Sequence, residues 1–297
     1  MRILPIGVAF LLGAILGAMA ATVWRDQHPV LVPPPPSSAT PVVVPPPSLP
    51  QLSHPAPTVD VQVDKRRIVF GPWRFLEVPA GCAQLGSPDD EPGRSADEKL
   101  HAEFVTERFY LLETEVPESL VEFAERGEFV PSDNLPVSTM SFDDTQLFCE
   151  VLGRRVPQLR FRLPTDVEWE HAARQLCRTA LPLPTSDVAA WETAVAKANA
   201  GDQDFLDRFA KHFACFGESQ PRACGQLKPN SLGLFDMSGN VWEWTETDRA
   251  PSPDLRPVRG GAWSSTSVWN CRAASCSWEN RTTRKSSIGF RIVAEVP

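Results

Sequence analysis

Residues 233–244 read Gly-Leu-Phe-Asp-Met-Ser-Gly-Asn-Val-Trp-Glu-Trp, and they are the part of the chain that differs most from an ordinary soluble-protein sequence. The Ser-Gly-Asn segment at 238–240 is typical of a tight turn. Trp242 and Trp244 alternate with Glu243, and neighbouring side chains on a strand point to opposite faces. The stretch therefore predicts a tight turn that leads into a short aromatic strand.

Two acidic residues, Asp236 and Glu243, flank this turn. Their carboxylates and the backbone carbonyls between them could converge on one hard cation, because a cation such as calcium prefers about six to eight oxygen ligands. The alternative is a buried tryptophan strand beside two solvated acids. The spacing alone leaves both interpretations open.

The composition is that of a globular protein with one unusual region. Of the 297 residues, 42% are hydrophobic and 22% are charged, but the thirty prolines are too many for one compact domain. The net charge of −8 and the lack of a basic run argue against nucleic acid as a partner. The seven cysteines begin at Cys82 and include no CxxC pair, which argues against a zinc site and a thioredoxin-like motif.

Residues 1–26 predict a segment that targets the chain to a membrane. No residue from Ile3 to Trp24 is charged, and a helix of about twenty such residues can cross a bilayer. We expect an uncleaved signal-anchor that holds the chain in the membrane; the alternative is a secretory signal peptide that is cleaved near Ala20. Both predict that the rest of the chain faces the extracytoplasmic side, in the periplasm or at the cell surface.

The composition of residues 27–66 predicts a proline-rich stalk. Runs of proline at 33–36 and 45–47, with Ser, Thr and Val between them, cannot bury a core and favour extended polyproline II structure. A ligand for a proline-recognising domain is the alternative. Residues 67–297 are left as the folded domain.

The folded part is expected to contain short strands and three helices. The strand candidates are residues 68–70, 75–78, 109–112, 242–244, 258–263 and 288–293. Helices are expected to begin at Pro117, at Ser141, and at a capping box formed by Thr165 and Glu168. Residues 179–228 are weakly patterned, so few regular elements are expected there.

Five motifs resemble those of the formylglycine-generating enzyme, or sulfatase-modifying factor, family. They are Val-Pro-Ala-Gly at 78–81, Arg-Leu-Pro-Thr with Glu-Trp-Glu and Ala-Ala-Arg within 162–174, the stretch 233–244, Arg-Gly-Gly-Ala-Trp at 259–263 and Gly-Phe-Arg at 289–291. They occur in the family order and cover about residues 67 to 297. The resemblance implies a C-type-lectin-like α+β fold, rich in loops and low in regular structure, preceded here by one hydrophobic N-terminal helix.

The same resemblance implies a structural calcium site. The family's ligand positions correspond to side-chain oxygens of Asp236 and Glu243 and to backbone oxygens of Gly239 and Val241. A second family calcium site begins at an asparagine that matches Asn199, but its remaining ligands cannot be aligned. We therefore expect calcium as a structural cofactor, held chiefly by the first set.

The family's catalytic positions differ in this chain. Formylglycine-generating enzymes resemble copper-thiolate oxidases, in which two cysteines after the Gly-Gly pair bind copper and oxidise a substrate cysteine. Ser265 and Asn270 stand at those positions here, and hydroxyl and amide groups are poor ligands for Cu(I). Copper is therefore not expected, although a shifted gap could bring Cys271 closer to the second position.

Histidine-held iron is not indicated either. No pair among the five histidines has the spacing of metal ligands on a helix or hairpin: His28, His54, His101, His171 and His212. His171, on the predicted helix with Trp169, is expected to be packed or to lie at the surface. The alternative of a metal-dependent oxidoreductase of the same family, acting on a peptide or small molecule, thus lacks an identifiable metal site.

The cysteines are expected to be structural, because an extracytoplasmic compartment permits disulfides. A bond between Cys215 and Cys224 would close a short surface loop. The resemblance also implies a link from the helix after the Leu-Pro-Thr motif to the segment after the Gly-Gly pair, and Cys177 could reach Cys276 or Cys271 for this purpose.

Residues 264–283 resemble the variable region of retroelement-diversified proteins, which use the same lectin-like scaffold to bind ligands. Aromatic residues among small polar ones suit a binding surface. We therefore expect recognition of a protein, peptide or small-molecule ligand, with a retroelement-diversified lectin-like binding protein as a further alternative. The predicted ligand-binding residues are Trp242, Trp263, Ser265, Trp269, Asn270, Arg272 and Trp278.

Overall fold

The computed structural model describes residues 59–174 and 179–297. Residues 1–58, with the predicted hydrophobic helix and most of the predicted stalk, lie outside the described part, as do residues 175–178. Within the described part, no helix combines the length and apolar character needed to cross a membrane.

The described residues form short strands and helices, which confirms the α+β class. The strands are β1 Val61–Val63, β2 Arg67–Phe70, β3 Trp73–Val78, β4 Gly81–Leu85, β5 His101–Val105, β6 Phe109–Leu112, β7 Arg160–Arg162, β8 Trp242–Trp244, β9 Leu255–Arg259, β10 Cys276–Asn280, β11 Ile288–Phe290 and β12 Val293–Glu295. The α-helices are α1 Glu118–Arg126, α2 Phe142–Arg155, α3 Asp166–Arg174, α4 Val188–Asn199 and α5 Gln203–Ala210. Two 3₁₀ turns cover Thr185–Asp187 and Val268–Cys271.

The strands form three sheets. The largest is antiparallel, with the spatial order β1-β2-β3-β6-β12-β7, so the last strand of the chain lies in the same sheet as the first. Strand β1 precedes residue 67, so this sheet begins in the last residues of the range expected to be stalk. The second sheet has the order β10-β9-β8-β11 and carries the Trp242–Trp244 strand, while β4 and β5 form a hairpin.

The main hydrophobic core lies between the six-stranded sheet and helices α1 and α2. Phe75 of β3, Phe123 of α1 and Phe148 of α2 belong to it together with Trp244 of β8, and all are buried. Trp244 packs edge-on against Phe142, with the ring centroids 6.0 Å apart. Each such large side chain stabilises the fold by about 1.5–3 kcal/mol through removal of apolar surface from water. The aromatic strand therefore connects the second sheet to the core.

All three predicted helix starts are confirmed: α1 begins directly after Pro117, and the other two have side-chain caps. The Ser141 hydroxyl accepts from the Asp144 amide, and the Asp144 carboxylate accepts from the Ser141 amide at 2.7 Å. Thr165 and Glu168 form the same reciprocal pair at the start of α3. These bonds satisfy backbone N–H groups that a helix leaves without partners.

The prediction of few regular elements between residues 179 and 228 was wrong. Helices α4 and α5 occupy much of this segment, and Asp202 caps α5 by accepting a hydrogen bond from the Phe205 amide at 3.1 Å. The buried face of α4 consists of only Trp191 and Ala194, so its helical periodicity is weak in the sequence. The two helices pack around a second hydrophobic cluster that also contains Val268 and Cys271.

The expected disulfide between Cys215 and Cys224 is absent, and both residues are buried free thiols. Cys215 pairs through its backbone with Ser238 and Asn240, whereas the Cys224 thiol faces the carbonyl of Glu115 at 3.9 Å. Cys271 and Cys276 are also free, and their expected partner Cys177 lies outside the described residues. The two cysteines expected to form this disulfide thus contact different neighbours.

Candidate functional site

The turn at residues 236–241 has a backbone conformation that favours glycine and asparagine at its centre. Gly239 and Asn240 adopt positive φ angles of 77° and 61°. A Cβ at position 239 would overlap the carbonyl group of Cys215, so glycine is required there. The Asn240 side chain accepts a hydrogen bond from the Arg222 amide at 2.9 Å, which closes the turn against a neighbouring loop. The chain then enters β8 with Glu243 facing inward.

Glu243 is engaged with a buried arginine. Its carboxylate is 1% exposed and receives bonds from Arg291 at 2.9 and 3.1 Å and from the Trp169 indole at 2.6 Å. Arg291, which is fully buried, also donates to the backbone carbonyls of Leu112, Glu113 and Phe235. Burial acts to lower the pKa of Arg291, but the Glu243 carboxylate outweighs it and the pKa is raised. Glu243 therefore serves first as the counter-charge of Arg291.

Glu115 is the functional candidate that sequence reasoning missed. It is fully buried, and neither of its carboxylate oxygens has a hydrogen-bond partner within the described residues. Burial, followed by the nearby charges of Asp236 and Glu243, raises the pKa of Glu115 well above its ordinary value. Its sequence context, one acid between Thr114 and Val116, contains no signal that separates it from a solvated residue.

Asp236 lies beside Glu115. It is 4% exposed, and its carboxylate accepts from the Gly225 amide at 2.5 Å. Burial raises the pKa of Asp236, while the hydrogen bond from Gly225 opposes this shift. Three buried carboxylates, those of Glu115, Asp236 and Glu243, thus share one guanidinium, that of Arg291. Protons or a cation must balance the remaining negative charge, because an unpaired buried charge is costly.

These residues partly fit a calcium ion. The Glu115 and Asp236 carboxylates offer hard oxygens, whereas the oxygens of Glu243 already bind Arg291 and Trp169. Nowhere in the described chain do three His, Cys, Asp or Glu side chains converge as a metal-binding group. A calcium ion here would therefore depend on backbone oxygens, such as those of Gly239 and Val241, as well as on the two carboxylates.

The two positions at which the family carries copper-binding cysteines are close to the turn. The Ser265 hydroxyl accepts from the Ala262 amide at 3.1 Å, and its carbonyl accepts from the Gly217 amide at 2.8 Å. Asn270 is exposed in the 3₁₀ turn Val268–Cys271. The adjacent Cys271 is fully buried, and burial raises its pKa to about 12 although a hydrogen bond with Ser265 opposes the shift.

Trp242 and Trp263 are brought together by the fold. The Trp263 amide donates to the Asn240 carbonyl at 2.8 Å, and its indole donates to the Ser286 carbonyl at 3.4 Å. The Trp242 amide donates to the next carbonyl, that of Ser287, at 2.8 Å. Both tryptophans are half-buried, so each presents part of its ring at the surface. With Ser265, they form the part of the predicted binding surface that the structure assembles.

The other predicted site residues lie in different environments. Trp269 packs edge-on against Trp191, with ring centroids 5.9 Å apart. These two residues and Asn199 line one cavity. Trp278 is on β10, opposite Pro257 of β9. Arg272 is buried and binds Glu91 and Glu98, so its charge is balanced within the fold. No hydrogen bond or ring contact among the described residues joins Asn199, Trp269 or Trp278 to the turn.

Comparison with known proteins places this arrangement in a family. The profile of the sulfatase-modifying factor enzyme 1-like domain matches residues 74–296. The "Inactive C-alpha-formylglycine-generating enzyme 2" of Mus musculus is 31% identical over 170 residues, which are 54% of this chain and 49% of that protein. The "Formylglycine-generating enzyme" of Mycobacterium tuberculosis is 28% identical over 189 residues, which are 54% of this chain and 57% of that protein.

A solved structure agrees with the fold. PvdO from Pseudomonas aeruginosa superposes with a TM-score of 0.61 at 20% identity, covering 75% of this chain and 94% of that one. The chain spans about half the length of the curated relatives it matches. Since the profile covers most of the chain and the motifs surround one assembled site, the protein belongs to the sulfatase-modifying factor enzyme 1-like domain family and has its C-type-lectin-like fold.

Proposed function

We propose that this domain recognises a ligand and does not generate formylglycine. The strongest support is the sequence resemblance, which matches Ser265 to the first of the family's copper-binding cysteines and Asn270 to a position at or near the second. The Ser265 hydroxyl is held by the Ala262 amide at 3.1 Å. A hydroxyl and an amide do not replace a pair of soft thiolates around Cu(I).

The neighbouring thiol does not replace the missing pair. Cys271 is fully buried, and Gly261 packs so closely against its sulfur that a Cβ there would lie only 2.7 Å away. Burial also raises the pKa of this thiol to about 12, which favours the protonated form at neutral pH. Both facts make Cys271 a poor copper ligand and a poor nucleophile.

The surface formed by Trp242, Trp263 and Ser265 suits recognition. Half-buried tryptophans are amphipathic and fixed in orientation, so they offer a large contact area at a low cost in conformational entropy. Here backbone hydrogen bonds to Asn240 and Ser287 hold the main chain of both residues, and the Trp263 indole donates to the Ser286 carbonyl. The ligand would be a protein, peptide or small molecule. The similarity to a protein named as an inactive member of the family agrees with this proposal.

Calcium is proposed as a structural ion of this site. Glu115 and Asp236 would supply its carboxylate oxygens, with backbone oxygens of Gly239 and Val241, and Glu243 would hold the arrangement in place through Arg291. Its role would be to balance buried negative charge and to fix the turn beneath Trp242. It takes no part in a reaction.

An extracytoplasmic location at the membrane is proposed from the uncharged segment from Ile3 to Trp24 and the proline-rich residues that follow it. A stalk of that composition would hold the domain away from the bilayer and leave its binding surface accessible. Retention near the membrane also agrees with a role in recognition.

The proposal is tested by assaying the protein, with copper added to the buffer, on a peptide that contains one cysteine. We expect no oxygen consumption above buffer and no aldehyde at the cysteine by mass spectrometry, while a formylglycine-generating enzyme in the same assay shows both. Stoichiometric oxygen consumption with bound copper or iron would overturn the proposal. It would favour the alternative, a metal-dependent oxidoreductase that acts on a peptide or small molecule.

A further inference from the structure

The cavity beside Trp191 and Trp269 lies between the loop at residues 88–92 and helix α4. Its volume is about 570 Å³, which is within the range of pockets that bind small molecules or single side chains. We name it the acidic aromatic pocket. The residues of its walls that matter for binding are Asp90, Glu91, Trp191, Glu192 and Trp269.

The aromatic wall of this pocket is rigid. Trp191 is 4% exposed and meets the Trp269 ring at 71° and 5.9 Å, which is an edge-to-face arrangement. The Trp269 carbonyl accepts from Arg272 at 2.8 Å, which holds its backbone. A Cβ at Gly93 would come within 2.6 Å of the Trp269 Cβ, so the loop packs directly against this tryptophan. Both rings are therefore oriented before any ligand arrives.

The lining residues that the structure describes carry negative charge. Asp90 and Glu192 are exposed at its mouth, and neither has a hydrogen-bond or ion-pair partner among the described residues. Glu91 is buried against Arg272, which neutralises it. None of the described lining residues is basic. Lys197 lies on the same helix, but its ammonium is 3.6 Å from the centre of the Phe205 ring and so is held there.

We propose that the acidic aromatic pocket binds an organic cation, an alkylammonium or guanidinium group of the kind carried by lysine or arginine. Tryptophan faces attract cations through the ring quadrupole, and two unpaired carboxylates at the mouth add long-range attraction. An anionic ligand would meet repulsion, and a neutral apolar one would leave the carboxylates unused. The inference names a ligand class for Trp269 and rests on the proposed recognition function.

The test is a titration of the protein with small cations, monitored by tryptophan fluorescence and NMR. The probes are Nα-acetyl-lysine methylamide, the arginine equivalent and tetramethylammonium, with Nα-acetyl-norleucine methylamide as an uncharged probe of similar shape. We expect saturable binding of the cations and none of the norleucine compound. The comparison of lysine, arginine and tetramethylammonium shows which cation the pocket accepts best.

Variants at the pocket give the second part of the test. Trp269→Leu is expected to weaken cation binding by about 2- to 30-fold, the range for a cation–π contact. Glu192→Gln and Asp90→Asn remove exposed charges without disturbing the core, and each is expected to weaken binding at low salt. Asp133→Asn is the matched control, since Asp133 is exposed and does not line the pocket.

Three results would overturn the inference: no saturable binding, equal binding of the norleucine compound, or equal effects of Glu192→Gln and Asp133→Asn. Failure here is distinguishable from failure of the proposed function. Oxygen consumption in the copper assay would refute the recognition proposal, whereas absent cation binding without turnover would refute only the pocket.

Discussion

Replacing Arg291 with methionine is expected to lower the free energy of unfolding by about 3–5 kcal/mol. Arg291 is fully buried, and it is the cation that pairs with the Glu243 carboxylate at 2.9 Å. Without it, Glu243 would stay buried near the carboxylates of Glu115 and Asp236, and three backbone carbonyls would lose their donor. Urea unfolding monitored by tryptophan fluorescence measures the change.

Two controls isolate the buried charge. Arg108→Met breaks an exposed ion pair with Glu77 and is expected to change the unfolding free energy by less than about 1 kcal/mol. The double variant Arg291→Met/Glu243→Gln removes both charges of the buried pair and is expected to recover part of the loss. An Arg291→Met protein as stable as the Arg108→Met protein would contradict the importance of this cluster.

Adding calcium is expected to raise the melting temperature of the domain. A ligand at 100 times its dissociation constant stabilises the folded state by about 2.7 kcal/mol, provided that the unfolded chain does not bind it. The shift is expected to disappear in Asp236→Asn and in Glu115→Gln, because these remove the two carboxylates that are not paired with Arg291. Melting curves with and without a chelator measure it.

The choice of variant matters for this prediction. Glu243→Ala would also remove the partner of Arg291, so it is expected to lower stability even in the presence of a chelator. Glu118→Gln is a suitable control, because Glu118 is an exposed acid at the start of α1. Melting that is indifferent to calcium and chelator, or an equal loss of the shift in Glu118→Gln, would refute a calcium site here.

The parts of the fold that depend on local chemistry could be predicted from the sequence. The turn and strand at 233–244 were predicted because Gly239 and the alternating tryptophans are local signals. The capping residues Ser141 and Thr165 were predicted for the same reason. Helix α4 was missed because its buried face consists only of Trp191 and Ala194, so its periodicity is weak. Helix α5 was missed although its apolar residues recur at helical spacing and Asp202 caps its start.

The site was predicted only in part. Position in the motifs identified Ser265 and Asn270, and the structure places Trp242 and Trp263 together. Glu115 was missed because its neighbours in the fold are distant in the sequence. The charges nearest to it are those of Asp236, Glu243 and Arg291, all more than a hundred positions along the chain. The predicted binding residues between 264 and 283 do not form one surface. The 3₁₀ turn Val268–Cys271 directs Trp269 toward Trp191.

The proposal that this chain lacks a copper-thiolate site is tested most directly by anaerobic titration of the reduced protein with Cu(I) in competition with a chromophoric chelator. We expect the chain to retain no Cu(I) against the chelator, because Ser265 and Asn270 replace the two thiols and Cys271 is buried with a raised pKa. One equivalent of Cu(I) bound per chain, and lost in Cys271→Ser, would contradict it.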